Sequence, residues 1–528
     1  MSKKGNILEP HTRLSHSYLW ELQKNYFDDK GISAWESEVP FFISSNAYIS
    51  TRYAQQVIQY ILDNYNPNET RPLYIVELGA GTGKFSFYFL KALQRGLKQL
   101  NLSDFQFKYI LSDVTPKNID FCRNNEALAP LIESKQLDFA LFDLEKDTEF
   151  HLMIENKPLS TLTSDYPVIF IANYVFDLSK ADAFKVQAGE LYEMQFALLT
   201  RYKKFDTHKP LMKEVILDHQ FVRVSAENYY DSKVLNQMLH HYMEHFRDSE
   251  NIFVIPVGPV SLMERFKKIA PNFLLVTGDK GIAYPESLNQ IERGSLYSFD
   301  GCYAFTFNFH GLSLYFKKTG GDALLTKFRN DYKVCLFSST QAFESLPQTV
   351  NFYQEYFETM GADEFCNLNE EFAANAYRYS LKSCFSFLKT SYYEPDTYYH
   401  MHDKLMEAMP AITGRFSRDI KEALSRVEEN LYHYRTFYDV FSLLGCVYQK
   451  AKDFKKAEQM FMQALKYSKS AFLPYRHLGL LYEERGNGNK ALEFYKKAHA
   501  LNKKDILTNN RIAVIEGSAS QLIKPLLK

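Results

Sequence analysis

Long apolar segments are missing from this sequence of 528 residues. No uninterrupted apolar run reaches the roughly 20 residues that a helix needs to cross a bilayer. The first residues, MSKKGNILEPHTRLSH, contain no apolar core of the kind found in secretion signals. We therefore expect a cytoplasmic protein without a membrane span. With 46% hydrophobic and 24% charged residues, the chain is long enough for two to four domains with their own cores.

An excess of charge of either sign is also missing. Lys and Arg total 62, and Asp and Glu total 63. A nucleic-acid-binding surface needs a basic excess, and local clusters such as RYKKF at 201–205 are more typical of solvated surface. We therefore expect no nucleic-acid partner.

Cysteine pairs are the third absence. The six cysteines are widely spread, with no C-x-x-C pair and no histidine cluster nearby; they are Cys122, Cys302, Cys335, Cys366, Cys384 and Cys446. This spread argues against structural zinc and against a disulfide scaffold. We expect small apolar core side chains in a reduced protein, and no metal site.

A period of 34 residues is present near the C-terminal end. Five positions repeat at this spacing: Gly445 and Gly479, Tyr448 and Tyr482, Ala457 and Ala491, Phe461 and Tyr495, Ala464 and Ala498. Small and aromatic residues at these positions allow paired helices to approach closely, and the pattern resembles tetratricopeptide repeats. We predict an all-α repeat domain at 437–528, closed by a helix at 506–516; helical hairpins without repeat geometry are the alternative.

The middle of the chain alternates short apolar runs with helical stretches. The runs that read as buried strands are LYIVEL, FKYILSD, LDFALFD, PVIFIANY, NIFVIPV and NFLLVTG. This alternation predicts an α/β domain with a doubly wound, mostly parallel sheet at 71–345. We expect a helical cap at 1–70, with a helix from Ser50 to Tyr65 beside the first strand, and a helical connector at 346–436.

A glycine turn follows the first predicted strand. The strand ends near Glu77, and Gly79, Ala80, Gly81, Thr82 and Gly83 lead into an amphipathic helix. Glycines permit positive φ and let a ligand approach the backbone, and the helix start favours polar or anionic groups. Dinucleotide binding would need G-x-G-x-x-G with an acid about 20 residues later; the spacing is G-x-G-x-G with an acid before it.

Two more acids end the next strands, Asp113 in YILSDVTP and Asp143 in LDFALFDLEKD. Together with Glu77 they form a series that resembles class I methyltransferases, whose cofactor is S-adenosylmethionine. The resemblance implies that the glycine turn and Glu77 hold the methionine part, that Asp113 accepts from ribose hydroxyls, and that Asp143 lies near the adenine amino group. Capping of the next helix is the alternative for each aspartate alone.

Further features narrow the resemblance. The long helix FSFYFLKALQRGLKQLN, SDVTP after the second strand and IANYVFDLSKADAF after the fourth are similar to the MidA family. Its mitochondrial members methylate an arginine during respiratory complex I assembly. The similarity covers about residues 35–340, and it implies that Val39 to Gln55 fold over the cofactor.

One residue departs from that family's pattern. Tyr174 stands where MidA proteins usually carry Glu after Ala-Asn, so the negative charge that localises a guanidinium is absent there. Asp177 could supply it, or could cap a following helix; Asn173 could hold an amine or amide through its carbonyl oxygen, besides binding the cofactor. His310, in FTFNFHGLS, could line the acceptor pocket or act as a base, or be an ordinary helix-start histidine.

The leading hypothesis is a methyltransferase that acts on a protein side chain, on arginine or another nitrogen, with the repeats recruiting a protein substrate or partner. A catalytically silent scaffold that binds S-adenosylmethionine and an enzyme of small molecules are the alternatives.

Overall fold

Apolar runs such as LYIVEL and VIFIAN form central, buried strands of the protein, in keeping with the β propensity of Val, Ile and Phe. The computed structural model describes residues 6–36, 42–163, 166–202, 214–286, 296–298, 302–327, 331–409, 414–434 and 439–517. Its strands are β1 (Asn6–Arg13), β2 (Leu73–Leu78), β3 (Phe107–Asp113), β4 (Leu137–Leu141), β5 (His151–Leu152), β6 (Lys157–Pro158), β7 (Val168–Asn173), β8 (Asp182–Gln187), β9 (Glu190–Thr200), β10 (Val215–Arg223), β11 (Asn251–Ile255), β12 (Phe273–Ile282), β13 (Leu296–Ser298), β14 (Tyr303–Phe305), β15 (Phe307–Asn308), β16 (Asp322–Leu324) and β17 (Tyr332–Ser338).

The helices alternate with these strands and then continue alone. They are α1 (Leu19–Lys30), α2 (Phe42–Ser45), α3 (Ala47–Asp63), α4 (Lys84–Gln99), α5 (Pro116–Arg123), α6 (Ala129–Glu133), α7 (Ser160–Thr163), α8 (Lys233–His245), α9 (Val257–Ile269), α10 (Phe309–Lys318), α11 (Pro347–Phe352), α12 (Ala362–Asn375), α13 (Leu381–Thr390), α14 (Pro395–Ala408), α15 (Gly414–Glu429), α16 (Val440–Lys450), α17 (Phe454–Tyr467), α18 (Phe472–Glu484), α19 (Gly488–Leu501) and α20 (Ile506–Ile515).

Two units divide the chain, Met1–Cys366 and Asn367–Lys528. The finer boundaries at 70, 345 and 436 stay predictions. None of the helices in the described part of the chain has the length and apolar character of a bilayer span.

A mostly parallel sheet organises the first unit. Its strand order is β16-β17-β12-β7-β2-β3-β4, and β15 adds to β12. Strands β12, β7, β2, β3 and β4 run parallel, whereas β17 is antiparallel to β12 and β16 to β17. The predicted fold class is therefore confirmed. Because five strands run parallel, the loops at their carboxyl ends meet at one edge, where ligands bind in such sheets.

A second, antiparallel sheet lies in the same unit. Its order is β1-β9-β8-β11, with β10 also paired to β9. The run NIFVIPV forms the predicted strand, β11, but its placement in the parallel sheet was wrong, because Asn251 pairs with Val186 of β8 in antiparallel register. This sheet pairs the start of the chain with residue 200, since Asn6 lies opposite Thr200.

Helix α3, predicted from Ser50 to Tyr65, packs along α4, which follows β2. The Asn46 side chain caps it by accepting the Ile49 amide at 2.9 Å. A Cβ on Gly96 of α4 would come within 2.3 Å of the Ile58 side chain, so glycine there permits the close approach of the two helices.

The second unit is helical, as predicted. Helices α16 and α17, then α18 and α19, form two hairpins, and α20 follows. A Cβ on Gly445 would lie 2.4 Å from the Phe461 ring, and one on Gly479 would lie 2.5 Å from the Tyr495 ring. The paired glycine and aromatic positions of the 34-residue period therefore face each other within each hairpin.

Candidate functional site

The glycine turn connects β2 to α4. Gly79, Gly81 and Gly83 have φ of 62°, 54° and 73°, which lie in the left-handed region that favours glycine. A Cβ on Gly79 would approach Val175 to 3.1 Å, and one on Gly81 would approach the Trp35 ring to 3.2 Å. The backbone conformation therefore favours glycine at Gly79 and Gly81, and a Cβ at either position would also crowd the neighbouring side chain.

A cavity lies at this turn, at the carboxyl ends of the parallel strands. Of the predicted site residues, those that line it are Glu77, Gly79, Ala80, Gly81, Asn173, Tyr174 and Asp177. Residues that sequence reasoning did not select also line it, among them Phe27, Trp35, Lys280 and Cys302. Gly83, Asp113, Asp143 and His310 are not among its lining residues.

Glu77 is buried at the end of β2 and is one of the residues that line the cavity. Its Oε2 accepts hydrogen bonds from the Ser86 hydroxyl and from the Tyr109 hydroxyl, the latter at 2.7 Å. Burial raises the pKa of Glu77 to about 7 despite these two donors. A cation in the cavity would favour the ionised form.

Asp113, the last residue of β3, stabilises the glycine turn through hydrogen bonds. Its Oδ2 accepts the Gly81 amide at 2.9 Å, and its Oδ1 accepts the Thr115 amide at 2.8 Å and the Asn118 side chain at 3.1 Å. Burial raises its pKa to about 6, although these donors favour the charged form. The carboxylate therefore fixes the turn, and the predicted bond to ribose hydroxyls stays a prediction.

Asp143 bonds to α1, which precedes the sheet in sequence. Its Oδ2 accepts the Lys24 ammonium at 2.7 Å, and its Oδ1 accepts the Glu145 amide at 3.0 Å. Burial opposes ionisation, but the Lys24 bond and the amide outweigh it and hold the pKa of Asp143 below its usual value. Its predicted place near an adenine amino group stays a prediction.

Asn173, the last residue of β7, is held by two tyrosines. Its Oδ1 accepts the Tyr53 hydroxyl at 2.7 Å and the Tyr332 hydroxyl at 3.2 Å. A Cβ on Gly278 would come within 2.4 Å of both hydroxyls, so glycine is required there. The predicted use of the Asn173 oxygen for an amine is not supported, because the two hydroxyls occupy it; the Nδ2 atom is the one without a partner among the described residues.

Tyr174 follows in a strained backbone conformation. Its φ is 51°, uncommon for a residue with a large side chain, and its amide donates to the Gly278 carbonyl at 2.9 Å. Its ring meets that of Tyr332 edge-on, with centroids 5.2 Å apart. Such strain is frequent at functional sites, and here it turns the chain along the cavity wall.

Asp177 lies in the loop between β7 and β8. The alternative that it caps a helix is excluded, because β8 is the next element. The side chain is buried, and its Oδ1 has no partner in the part of the chain that the structure describes.

Asp279 was missed by sequence reasoning. It lies within β12, is fully buried, and accepts the amides of Phe176 and Asp177 through Oδ2, at 3.2 and 3.1 Å. An acid inside the apolar run FLLVTGDKGI was the available signal.

His310 lies at the start of α10, away from the lining residues. Its Nδ1 is 2.9 Å from the Tyr242 hydroxyl, and its ring lies 5.3 Å from that of His241. Burial, with His241 and Lys317 nearby, lowers its pKa to about 4 rather than leaving it near neutrality. The cavity geometry therefore gives no support to the prediction that His310 is a base there. The described residues contain no group of three or more His, Cys, Asp or Glu side chains that could hold a metal ion.

Comparisons with known proteins give local matches. The tetratricopeptide repeat family model matches residues 438–470, which include the first hairpin. The non-reducing polyketide synthase ausA of Penicillium brasilianum is 24% identical over 139 residues, which are 26% of this chain and 4% of that protein. The chain therefore spans a small fraction of this relative's length.

Two solved structures align with part of the chain at low similarity. A Burkholderia thailandensis protein bound to S-adenosyl-homocysteine aligns with a TM-score of 0.41 and 14% identity, over 63% of this chain and 89% of that one. The plantazolicin methyltransferase BpumL, in complex with a monoazolic desmethylPZN analog and S-adenosyl-homocysteine, aligns with a TM-score of 0.24 and 10% identity, over 62% of this chain and 99% of that one. The strand order, rather than these similarities, establishes the fold.

Proposed function

We propose that the first unit is a methyltransferase that uses S-adenosylmethionine and methylates a nitrogen of a protein side chain. The observation that carries the proposal is the cavity, whose lining includes Glu77, two left-handed glycines of the turn, Gly79 and Gly81, and Asn173, whose amide nitrogen has no partner in the described part of the chain. The resemblance of the sequence to the MidA family supports the same assignment.

The residues of the cavity fit this cofactor. Glu77 is an acceptor for the ammonium of the methionine part, and Asn173 Nδ2 is a donor for its carboxylate. Phe27 and Trp35, stacked with centroids 5.8 Å apart, offer an apolar surface to the adenine ring.

When bound, the cofactor supplies an electrophilic methyl group. The residues of the chain then position the acceptor nitrogen and exclude water from the cavity.

The binding half of this proposal is tested by titration calorimetry of the full chain with S-adenosylmethionine. We expect Glu77→Gln to weaken binding by about 10- to 100-fold, because it removes a charge-assisted hydrogen bond. Glu344→Gln, an exposed glutamate outside the cavity, is the matched control and keeps wild-type affinity. Absence of a binding signal with the wild type would refute the proposal.

The repeats are proposed to recruit the protein substrate or a partner in the cytoplasm. Two stacked hairpins present a surface suited to peptides or helices. Gly479→Leu, which drives a side chain into the Tyr495 ring, disrupts the second hairpin within the full chain. We expect labelled methyl transfer to lysate proteins to change in pattern, while S-adenosylmethionine binding remains. An unchanged pattern would remove the repeats from substrate choice.

A scaffold that binds the cofactor without turnover is the second candidate. Tyr174, which stands where a MidA protein carries Glu, favours it, because no negative charge is available at that position. Formation of S-adenosyl-homocysteine from S-adenosylmethionine, with lysate proteins as acceptors, excludes it. Binding without any turnover supports it, and turnover only with metabolites indicates a small-molecule enzyme.

A further inference from the structure

Two buried carboxyl groups lie next to each other at the cavity. Asp177 lines the cavity and is 6% exposed, and Asp279 behind it is 0% exposed. They are adjacent, because Asp279 Oδ2 accepts the backbone amide of Asp177 at 3.1 Å. The Oδ1 atom of each has no hydrogen-bond partner within the described ranges. Buried acceptor atoms are rarely left in this state, so these two oxygens call for a proton or a ligand donor.

The two groups differ in their surroundings. Asp279 Oδ2 accepts two backbone amides, and no cavity surface reaches this side chain. Asp177 shares the cavity wall with Lys280, whose positive charge favours its ionised form. Adjacent carboxyl groups away from water do not both ionise near neutrality, so the one facing the cation is the better place for the negative charge.

The expected titration follows the same order. Burial raises the pKa of Asp177 to about 7, and Lys280 opposes that rise. Burial and the charge of Asp177 together raise the pKa of Asp279 well above its usual range. The titratable or charged groups that face the pair from the surrounding elements are Lys280, Tyr174, Cys302, Tyr53 and Tyr332.

We propose that Asp279 keeps a proton, and that the Asp177 carboxylate is the base that takes the proton of the acceptor nitrogen. Asp177 is then a catalytic residue, and Asp279 is a positioning residue that acts through it. The proposal rests on the methyl-transfer function proposed above. Asp177 then supplies the carboxylate that the MidA family carries as Glu at the position of Tyr174.

The step balances in atoms and electrons. The acceptor nitrogen uses its lone pair to form the new N–C bond with the methyl group. The C–S bond of the sulfonium breaks, and its electron pair stays on sulfur, which becomes a neutral thioether. The N–H proton passes to the Asp177 carboxylate and from there to solvent. Asp279 keeps its own proton throughout.

Two isosteric variants of the full chain separate the roles. Asp177→Asn removes the base, and we expect the rate of methyl transfer to lysate protein, at saturating S-adenosylmethionine, to fall by about 10²- to 10⁴-fold. Asp279→Asn imitates the protonated carboxyl group, because its oxygen accepts the same two amides; we expect a rate within about 10-fold of wild type. Equal losses in both variants would overturn the proposal, since they would indicate that both carboxylates must be charged.

The pH dependence provides a second readout. The wild type and Asp279→Asn should both gain activity as the pH rises through about 7, where Asp177 ionises. The residual activity of Asp177→Asn should not rise with pH in this range. Titration with S-adenosylmethionine shows that each variant keeps a folded site. If the activity of Asp177→Asn rises with pH as that of the wild type does, the assignment of Asp177 as the base is contradicted.

Infrared spectroscopy tests the protonated state of Asp279 without any turnover. At pH 8 the unliganded wild type should show the C=O stretch of a protonated carboxyl group, which shifts in D₂O. Asp279→Asn should remove it, and Asp177→Asn should not. If this band is present but S-adenosylmethionine does not bind, the proposed function fails and the protonated Asp279 stands. If the cofactor binds and turns over but the band is missing, the protonated state of Asp279 is refuted and the proposed methyltransferase function stands.

Discussion

The Tyr53 hydroxyl donates to Asn173 Oδ1 at 2.7 Å, and this bond joins α3 to the end of β7. Because Tyr332 also donates to the same oxygen, at 3.2 Å, the amide group is held in place at the cavity, and its Nδ2 has no partner within the described ranges. Tyr53 is therefore a remote part of the candidate site, although it is not among the cavity-lining residues.

Removal of this hydroxyl should affect both stability and binding. For Tyr53→Phe we expect the free energy of unfolding to fall by about 1 kcal/mol, which is typical of one lost hydrogen bond. Affinity for S-adenosylmethionine should also fall, because the Asn173 amide can rotate. Tyr332→Phe should cost less, since its bond is longer. Tyr65→Phe, at a tyrosine that is 46% exposed, is the control. Denaturant unfolding and calorimetry measure these effects, and equal results for Tyr53→Phe and the control would contradict the prediction.

Replacement of Gly81 by alanine should combine two costs. The φ of 54° costs about 1–2 kcal/mol for a residue with a Cβ, and the Trp35 ring lies 3.2 Å from the new atom. Gly320→Ala is the matched control, because φ is 86° there and no atom lies within 4 Å of its Cβ. Thermal unfolding should show a larger loss at Gly81 than at Gly320.

The excess loss at Gly81 should disappear when the neighbouring ring is removed. In the double variant Gly81→Ala with Trp35→Ala, the alanine at position 81 no longer meets the Trp35 ring. Only the cost of its backbone conformation then remains. A double-mutant cycle that gives no coupling between the two positions would show that the ring does not restrain the turn.

Glu77 should make stability depend on pH. Its folded-state pKa of about 7 lies above the ordinary value of 4.5, so the folded protein holds the extra proton between these values. The free energy of unfolding should therefore fall as the pH rises from about 4.5 to 7, by up to about 3 kcal/mol. Urea unfolding across this range should show a smaller decline for Glu77→Gln than for the wild type. Glu344→Gln should keep the wild-type decline, and identical curves for Glu77→Gln and the wild type would refute the burial of a neutral Glu77.

The repeat glycines should be intolerant of any side chain. Gly445→Ala should cost about 1–3 kcal/mol by overpacking, because its Cβ would lie 2.4 Å from the Phe461 ring. Gly488→Ala is the control in the same unit, since the nearest atom, on Ile515, lies at 3.9 Å, and alanine favours helix. Limited proteolysis of the second unit should distinguish the two variants. Equal cleavage rates would indicate that the hairpin relaxes around the added methyl group.

Local patterns predicted the glycine turn, the parallel strands and the repeat hairpins, because neighbouring residues determine each of them. The residues that complete the site are distant in sequence: Tyr53 and Asn173 are 120 positions apart, and Phe176 and Asp279 are 103 apart. No periodicity reports such pairs. The run NIFVIPV shows the same limit, since an apolar strand does not specify which sheet it joins. Asp113 was recognised, but its bond to the Gly81 amide depends on the shape of the turn.

The N-terminal segment has a consequence for biosynthesis. Phe27 and Trp35 form part of the cavity wall, yet the strand before them, β1, pairs with β9, which ends at Thr200. A nascent chain therefore cannot complete this pairing until β9 has left the ribosome. The wall also includes Lys280 and Cys302, so the cavity is completed late although its first wall residues are synthesised early.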